Sequence, residues 1–201
     1  MYAEHADAHL GDDGPPGGGR AGPPHDAPPG YPAQLEGTME LADGTEVRVR
    51  PIVPGDAGAL GAFHQRLSER TVFLRYFYPH QILSGAEIRG LCSVDYVDRL
   101  ALVVERGARL IAVGRYDRAP GSTDAEVAFV VADEWQHHGI ATALLALLAG
   151  AALGHGVTHF TADVLSENQL MLRVFHESGF PIESTASLGT LHLRLALTPD
   201  P

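Results

Sequence analysis

A lone carboxylate, Glu126, heads an apolar run of Val127, Ala128, Phe129, Val130 and Val131. A few residues further on, Gly139 stands at the entrance to a second apolar run, Ile140 to Leu153. The first run reads as a buried strand and the second as a helix. A turn between a strand and a helix N-terminus leaves backbone N–H groups free, and the helix dipole favours negative charge there. Such a turn is a place to hold phosphate, and a glycine lets the ligand approach the chain closely. A carboxylate on the adjoining strand is a place to move a proton. Apolar surroundings would favour its taking a proton up, as a general base must. The competing reading of Glu126 is a strand-end residue that faces solvent or pairs with a base such as Arg115.

The flanking elements must hold these residues. Residues 46–50 alternate polar and apolar, the signature of a strand with one covered face. Leu60, Phe63 and Leu67 follow at helical spacing, with Asp56 as a possible cap. A second helix is predicted over 69–78, rich in Phe73, Leu74, Tyr76, Phe77 and Tyr78. These read as core, with part of the group open to lining a substrate groove. A third helix is predicted over 84–92, where Ser84 and Glu87 have capping-box spacing. Strands over 100–105 and 109–116 are separated by a turn of hairpin length, and the Glu126 strand comes next. After the helix that opens at Gly139 come a strand over 160–165 and a helix from Asn168 closed by Gly179. Two more candidate strands flank Gly189. The order predicts an α+β domain whose mixed, mostly antiparallel twisted sheet of six or seven strands is flanked by helices.

The chain has 201 residues, enough for one well-cored domain. Its formal net charge of −11 argues against a nucleic-acid or anionic-membrane surface. Its fourteen basic residues are all arginine, so no phosphate-binding loop that depends on lysine is present. A single cysteine, Cys92, excludes an internal disulfide framework and a cysteine-rich zinc site, and a cytoplasmic location is the expectation. Residues 1–36 hold seven Pro, seven Gly and six acidic residues against one Arg. That composition predicts a disordered acidic tail, with the domain occupying 37–201.

The string Gln136-His137-His138-Gly139-Ile140-Ala141, placed after a strand and at the head of a helix, resembles the coenzyme motif Q/R-x-x-G-x-G/A of the GNAT acetyltransferase family. Asn168 begins a second family-like pattern, N-x6-F-x3-G-F, which ends at Gly179-Phe180. The resemblance runs over about 47–197. In the phrases LADGTEVRVRPIVPGD, SVDYVDRLALVV, AEVAFVVAD and VLSENQLMLRVFHESGF it is similar to the acetyltransferase domain of bacterial Pat-type protein-lysine acetyltransferases. In that subfamily the domain is often fused to a regulatory or acyl-CoA-synthetase-like domain, for which this length leaves no room.

The resemblance implies an N-acetyltransferase that uses acetyl-CoA without a metal. It implies that amides of His137, His138, Gly139, Ile140, Ala141 and Thr142 hold the pyrophosphate, introduced by Gln136. It places the pantetheine arm along Phe129, Val130 and Val131, with an amide of that strand end facing the thioester oxygen, and Asn168 beside the coenzyme. It places Glu126 as the general base for a cationic amine acceptor, a protein lysine. A lysine ammonium, with a pKa near 10.4, must lose a proton before it attacks. The sequence departs from the family in two places. His138 stands where Arg is common, implying a weaker or pH-dependent hold on coenzyme. Phe175 stands where a general-acid Tyr is usual, leaving Tyr96 or Tyr116 as substitutes, or solvent or the attacking amine as the proton source. Asp95 and Asp98 are candidates for binding a cationic acceptor, Cys92 reads as packing, and Trp135 as a cover over the turn. Adjacent histidines point different ways and do not make a metal pair. A small amine as acceptor, and a coenzyme-binding sensor without turnover, are the alternatives. Oligomeric state is not encoded legibly.

Overall fold

In a computed structural model, described over residues 27–78 and 82–197, alternating and apolar runs build one continuous sheet. β1 (Gly37–Glu40) and β2 (Glu46–Pro51) pair antiparallel with Met39 opposite Val47. Three short helices follow, α1 (Ala57–His64), α2 (Glu69–Tyr76) and α3 (Gly85–Cys92). Next come β3 (Arg99–Arg106), β4 (Arg109–Arg118) and β5 (Asp124–Val131). The chain continues through α4 (Ile140–Gly154), β6 (His159–Leu165), α5 (Gln169–His176), β7 (Ile182–Ser187) and β8 (Thr190–Ala196). The sheet order is β1-β2-β3-β4-β5-β6-β8-β7. Every neighbouring pair is antiparallel except β5 with β6.

Both faces of the central strands are covered, which is why β3 reads as an unbroken apolar run. Leu100, Leu102 and Val104 turn toward α4 and α5, where Leu144, Leu145, Leu148 and Phe175 are buried. Ala101 and Val103 turn the other way, onto Ile52, Leu60, Phe63 and Cys92. The predicted capping box forms: the Ser84 hydroxyl accepts from the Glu87 amide at 3.2 Å, and the Glu87 carboxylate accepts from the Ser84 amide at 2.7 Å. Such a cap contributes about 1 kcal/mol.

The sheet has eight strands rather than six or seven. The additional one is β1, too short and too polar to show an alternation in the sequence. Of the predicted tail, residues 1–26 lie outside the described residues, and 27–36 pack against the domain. Residues Ala33–Leu35 make a 3-10 turn, Tyr31 stacks edge-on against Tyr96, and Glu36 pairs with Arg48 at 2.8 Å. Asp56 does not cap α1 with its side chain. It grips Arg50 through two 2.8 Å bonds, with Glu105 on the same guanidinium. Removing one partner from a buried group of this kind costs about 3–5 kcal/mol. Among the described residues no helix is long and apolar enough to cross a membrane.

Candidate active site

The parallel pair β5–β6 is short. Only Asp124 with His159, Ala125 with Phe160 and Glu126 with Thr161 are in register. Beyond Glu126 the strands part, β5 running on to Val131 and β6 to Leu165. Their facing edges carry backbone donors and acceptors with no ladder between them, and two adjoining clefts fill the wedge. The first, about 340 Å³, runs from the β5 end to the turn before α4 and is bounded by α5. The second, about 240 Å³, lies over Glu126, Asp163 and Tyr76. Leu74, Arg75, Phe129, Asn168 and Met171 line both. Phe129 is held by its surroundings. It sits 6.2 Å from the Phe175 ring, and a Cβ on Gly114, its partner across β4, would stand 2.9 Å from it.

The turn at the end of the first cleft is shaped for an anion. His137 and Gly139 both take left-handed φ, 67° and 79°. Gly139 caps α4 without a side-chain bond. Among the described residues the amides of His137, His138 and Gly139 donate to no protein acceptor. Those of Ile140, Ala141 and Thr142 lie in the first helical turn, where no earlier carbonyl is in reach. Successive free amides in alternating conformations make an anion nest. These residues, His138 apart, line the cleft together with Phe129, Val130, Val131 and Trp135.

Two side chains of the motif are committed elsewhere. The Gln136 amide donates to the Thr71 hydroxyl at 3.1 Å and to the Val131 carbonyl at 3.2 Å, tying the turn to α2 and to β5. Asp133 adds to the tie, accepting from the Thr71 hydroxyl at 2.8 Å and from the Ser68 amide at 2.9 Å. Although burial opposes its charge, these bonds keep the Asp133 carboxyl below the usual carboxylate range. The His138 ring turns away from the cleft. Its Nδ1 lies 2.7 Å from the Gln136 carbonyl and its Nε2 3.6 Å from Asp43. The imidazole therefore does not replace the arginine expected beside the phosphates; only the His138 backbone stays in the turn.

Glu126 lies at the last paired position, where the strands part, and lines the second cleft. Its side chain is exposed, while Ala125 and Val127 turn to the buried face. Alternation sends its strand neighbours the other way, and the apolar groups in its cleft come from other elements, Leu74, Phe77 and Met171 among them. Arg115, the expected partner, is bound instead to Asp117 at 2.9 Å. Asn168 caps α5, its Oδ1 accepting from the Met171 amide at 3.2 Å, and its NH2 group makes no bond among the described residues.

Phe175 is buried, and neither proposed substitute for a tyrosine acid reaches the clefts. Tyr96 donates to the Ile52 carbonyl. Tyr116 donates to the Val97 carbonyl beside His155, and burial pushes its hydroxyl up to about 12. Asp95 accepts three backbone amides of its own loop and Asp98 pairs with Arg118, so both serve the loop rather than an acceptor. Cys92 is fully buried, its thiol pushed up to about 11 by desolvation. Part of the group over 69–78, open to lining a groove, does so: Leu74, Tyr76 and Phe77 line the clefts, but sequence reasoning missed Asp163, Thr71 and Arg75. The signal for α2 was there: Thr71 and Arg75 are four residues apart and so share a helix face. Among the described residues no cluster of three or more His, Cys, Asp or Glu could hold a metal ion.

A strand pair thus opens beside a glycine turn, with a carboxylate at the fork. The Acetyltransferase (GNAT) family profile matches residues 68–180. The chain belongs to this family and is an N-acyltransferase. It is 32% identical over 144 residues to the acetyltransferase Pat of Mycolicibacterium smegmatis, which covers 70% of this chain and 43% of that protein. The chain thus spans less than half of that relative's length. The GNAT domain of S. lividans PAT is 35% identical, with a TM-score of 0.78 over 83% of this chain and 99% of that one. A cAMP-binding acyltransferase from Mycobacterium smegmatis is 26% identical, with a TM-score of 0.59 over 82% of this chain and 48% of that one. The chain is thus closely similar to Pat-type domains.

Proposed function

We propose that the chain transfers an acetyl group from acetyl-CoA to a protein lysine, directly, in a ternary complex, with Glu126 as general base. The observation that carries this is the position of Glu126 at the fork of β5 and β6, in the second cleft, which shares Arg75, Phe129 and Asn168 with the first. The first cleft suits the coenzyme. Its nest takes the pyrophosphate, and the unladdered β5 edge takes the peptide-like pantetheine arm. An acyltransferase of the same fold, yncA from Salmonella typhimurium, holds acetyl-CoA. The second cleft suits a cation, since Glu126 and Asp163 outnumber Arg75 among its charged groups. A covalent acyl-enzyme is disfavoured, because Cys92 is buried and lines neither cleft.

In this reading Glu126 takes a proton from the lysine ammonium and releases it to solvent, with or without a water between them. The amine attacks the thioester carbon, the C–S bond breaks, and the thiolate takes a proton from the amine nitrogen. The likeness to the Pat domains supports lysine as acceptor. The test is thiol release from acetyl-CoA with a single-lysine peptide, its α-N-acetyl-lysine methyl amide, and free small amines, followed by mass analysis of the products. Acetylated peptide lysine is expected. Thiol release only with small amines would remove the protein acceptor, and coenzyme binding without release to any amine would leave a sensor.

A further inference from the structure

The wedge contains a cation that the scheme above does not use. Arg75 lines both clefts, at the seam where a thioester in the first would meet an amine in the second. It is well placed and unspent. The tie of Thr71 to Asp133 and Gln136 fixes α2, and Arg75 projects from the same helix face one turn later. Its guanidinium lies over the Tyr76 ring, 5.1 Å from the centroid, and that ring is backed by His64 at 5.4 Å. Among the described residues it makes no hydrogen bond or ion pair, unlike Arg50, Arg99, Arg115 and Arg118. An arginine carries five N–H donors, and those of Arg75 are free to meet a ligand in the clefts it lines.

We propose that Arg75 is a catalytic residue that donates hydrogen bonds to the thioester oxygen and stabilises the negative charge developing there. This rests on the acyl-transfer reading above. As nitrogen attacks, the carbonyl π pair moves onto oxygen. It returns to carbon when the C–S bond breaks and sulfur leaves with the bonding pair. Arg75 transfers no proton in either step; it offers fixed positive charge where negative charge appears. Burial is the largest influence on the group and, with Arg115, pulls its pKa down, while Tyr76, Glu126 and Asp117 work against that pull. Arginine stays charged even so.

The test uses the full chain and acetyl-CoA labelled with carbon-13 at the carbonyl. Infrared difference spectra of the bound coenzyme read carbonyl polarisation without turnover. Binding to wild type is expected to lower the C=O stretch. Arg75→Gln should abolish that shift, and Arg75→Lys should keep part of it, with coenzyme Kd within about threefold and an unchanged circular dichroism spectrum. In turnover, Arg75→Gln should lower kcat about 100-fold or more, the range seen when one oxyanion donor is removed. KM values should stay in place. A retained carbonyl shift in Arg75→Gln would overturn the proposal. So would a rise in KM alone, which would make Arg75 a group that acts on the amine. If wild type binds no acetyl-CoA, the acyl-transfer reading fails and takes this inference with it; a lost proposal with intact coenzyme binding leaves that reading standing.

Discussion

At the scale of single residues, the turn before α4 separates backbone from side-chain contributions. Gly139 holds φ at 79°, and a Cβ there is strained by about 1–2 kcal/mol. Gly139→Ala is expected to weaken acetyl-CoA binding about tenfold in a calorimetric titration, because relief of that strain turns the amides out of the nest. His138→Ala should change the same affinity by less than about threefold, since its ring faces Asp43 and the Gln136 carbonyl rather than the cleft. A second expectation concerns His64. Burial holds its pKa below the ordinary value, so the unfolded chain takes up protons before the folded one does. The stability this contributes is whole above the unfolded value near 6.5 and is lost as pH falls through the lower folded value. Thermal melts of wild type should therefore lose stability from pH 7 toward pH 5 more steeply than those of His64→Phe. Parallel slopes would show that His64 does not titrate on unfolding.

At the scale of elements, the wedge depends on a close approach between β4 and β5. Gly114 stands opposite Phe129, whose ring leaves no space for a methyl group. Gly114→Ala should destabilise the fold by about 1–3 kcal/mol in urea titrations, the usual cost of overpacking. It should also weaken coenzyme binding, because Phe129 lines both clefts. A variant with wild-type stability and binding would show that the strands yield freely there. The elements themselves were largely legible. Apolar runs marked β3, β4 and β5, Ser84 and Glu87 marked the start of α3, and Gly139 marked the start of α4. β1 was not, because GTME carries no alternation and becomes a strand only by pairing with β2. The site was legible in its backbone and less so in its side chains. Free amides at 137–142 follow from a glycine at a helix start. The destinations of Gln136, His138 and Tyr116 depend on partners such as Thr71, Asp43 and His155, distant in sequence and brought near only by the fold. Arg75 and Asp163 escaped notice for the same reason: each looks ordinary in its own segment.

At the scale of the whole molecule, charge and shape act together. The chain carries 25 acidic residues against 14 basic ones, and the second cleft repeats that excess locally. A cationic acceptor is drawn by such a field, and salt screens it. The kcat/KM for a lysine peptide of positive net charge is expected to fall roughly threefold to tenfold between about 0.05 and 0.5 M salt. A neutral amine should show little change, and equal salt dependence for both would remove the steering. The N-terminal boundary is also a whole-molecule matter. Residues 27–36 bring Tyr31 against Tyr96 and Glu36 onto Arg48, so composition alone sets the edge of the domain too late.

These scales meet at Glu126, where β5 ends its pairing with β6 and the second cleft opens. The most direct measurement is the pH dependence of turnover for wild type and Glu126→Gln, with acetyl-CoA and a single-lysine peptide. The variant should bind coenzyme normally and lose about 100-fold or more in rate at pH 7. The gap should narrow as pH rises toward the lysine pKa near 10.4, where the amine needs no base. Equal rates for the two proteins across the pH range would contradict a base at Glu126.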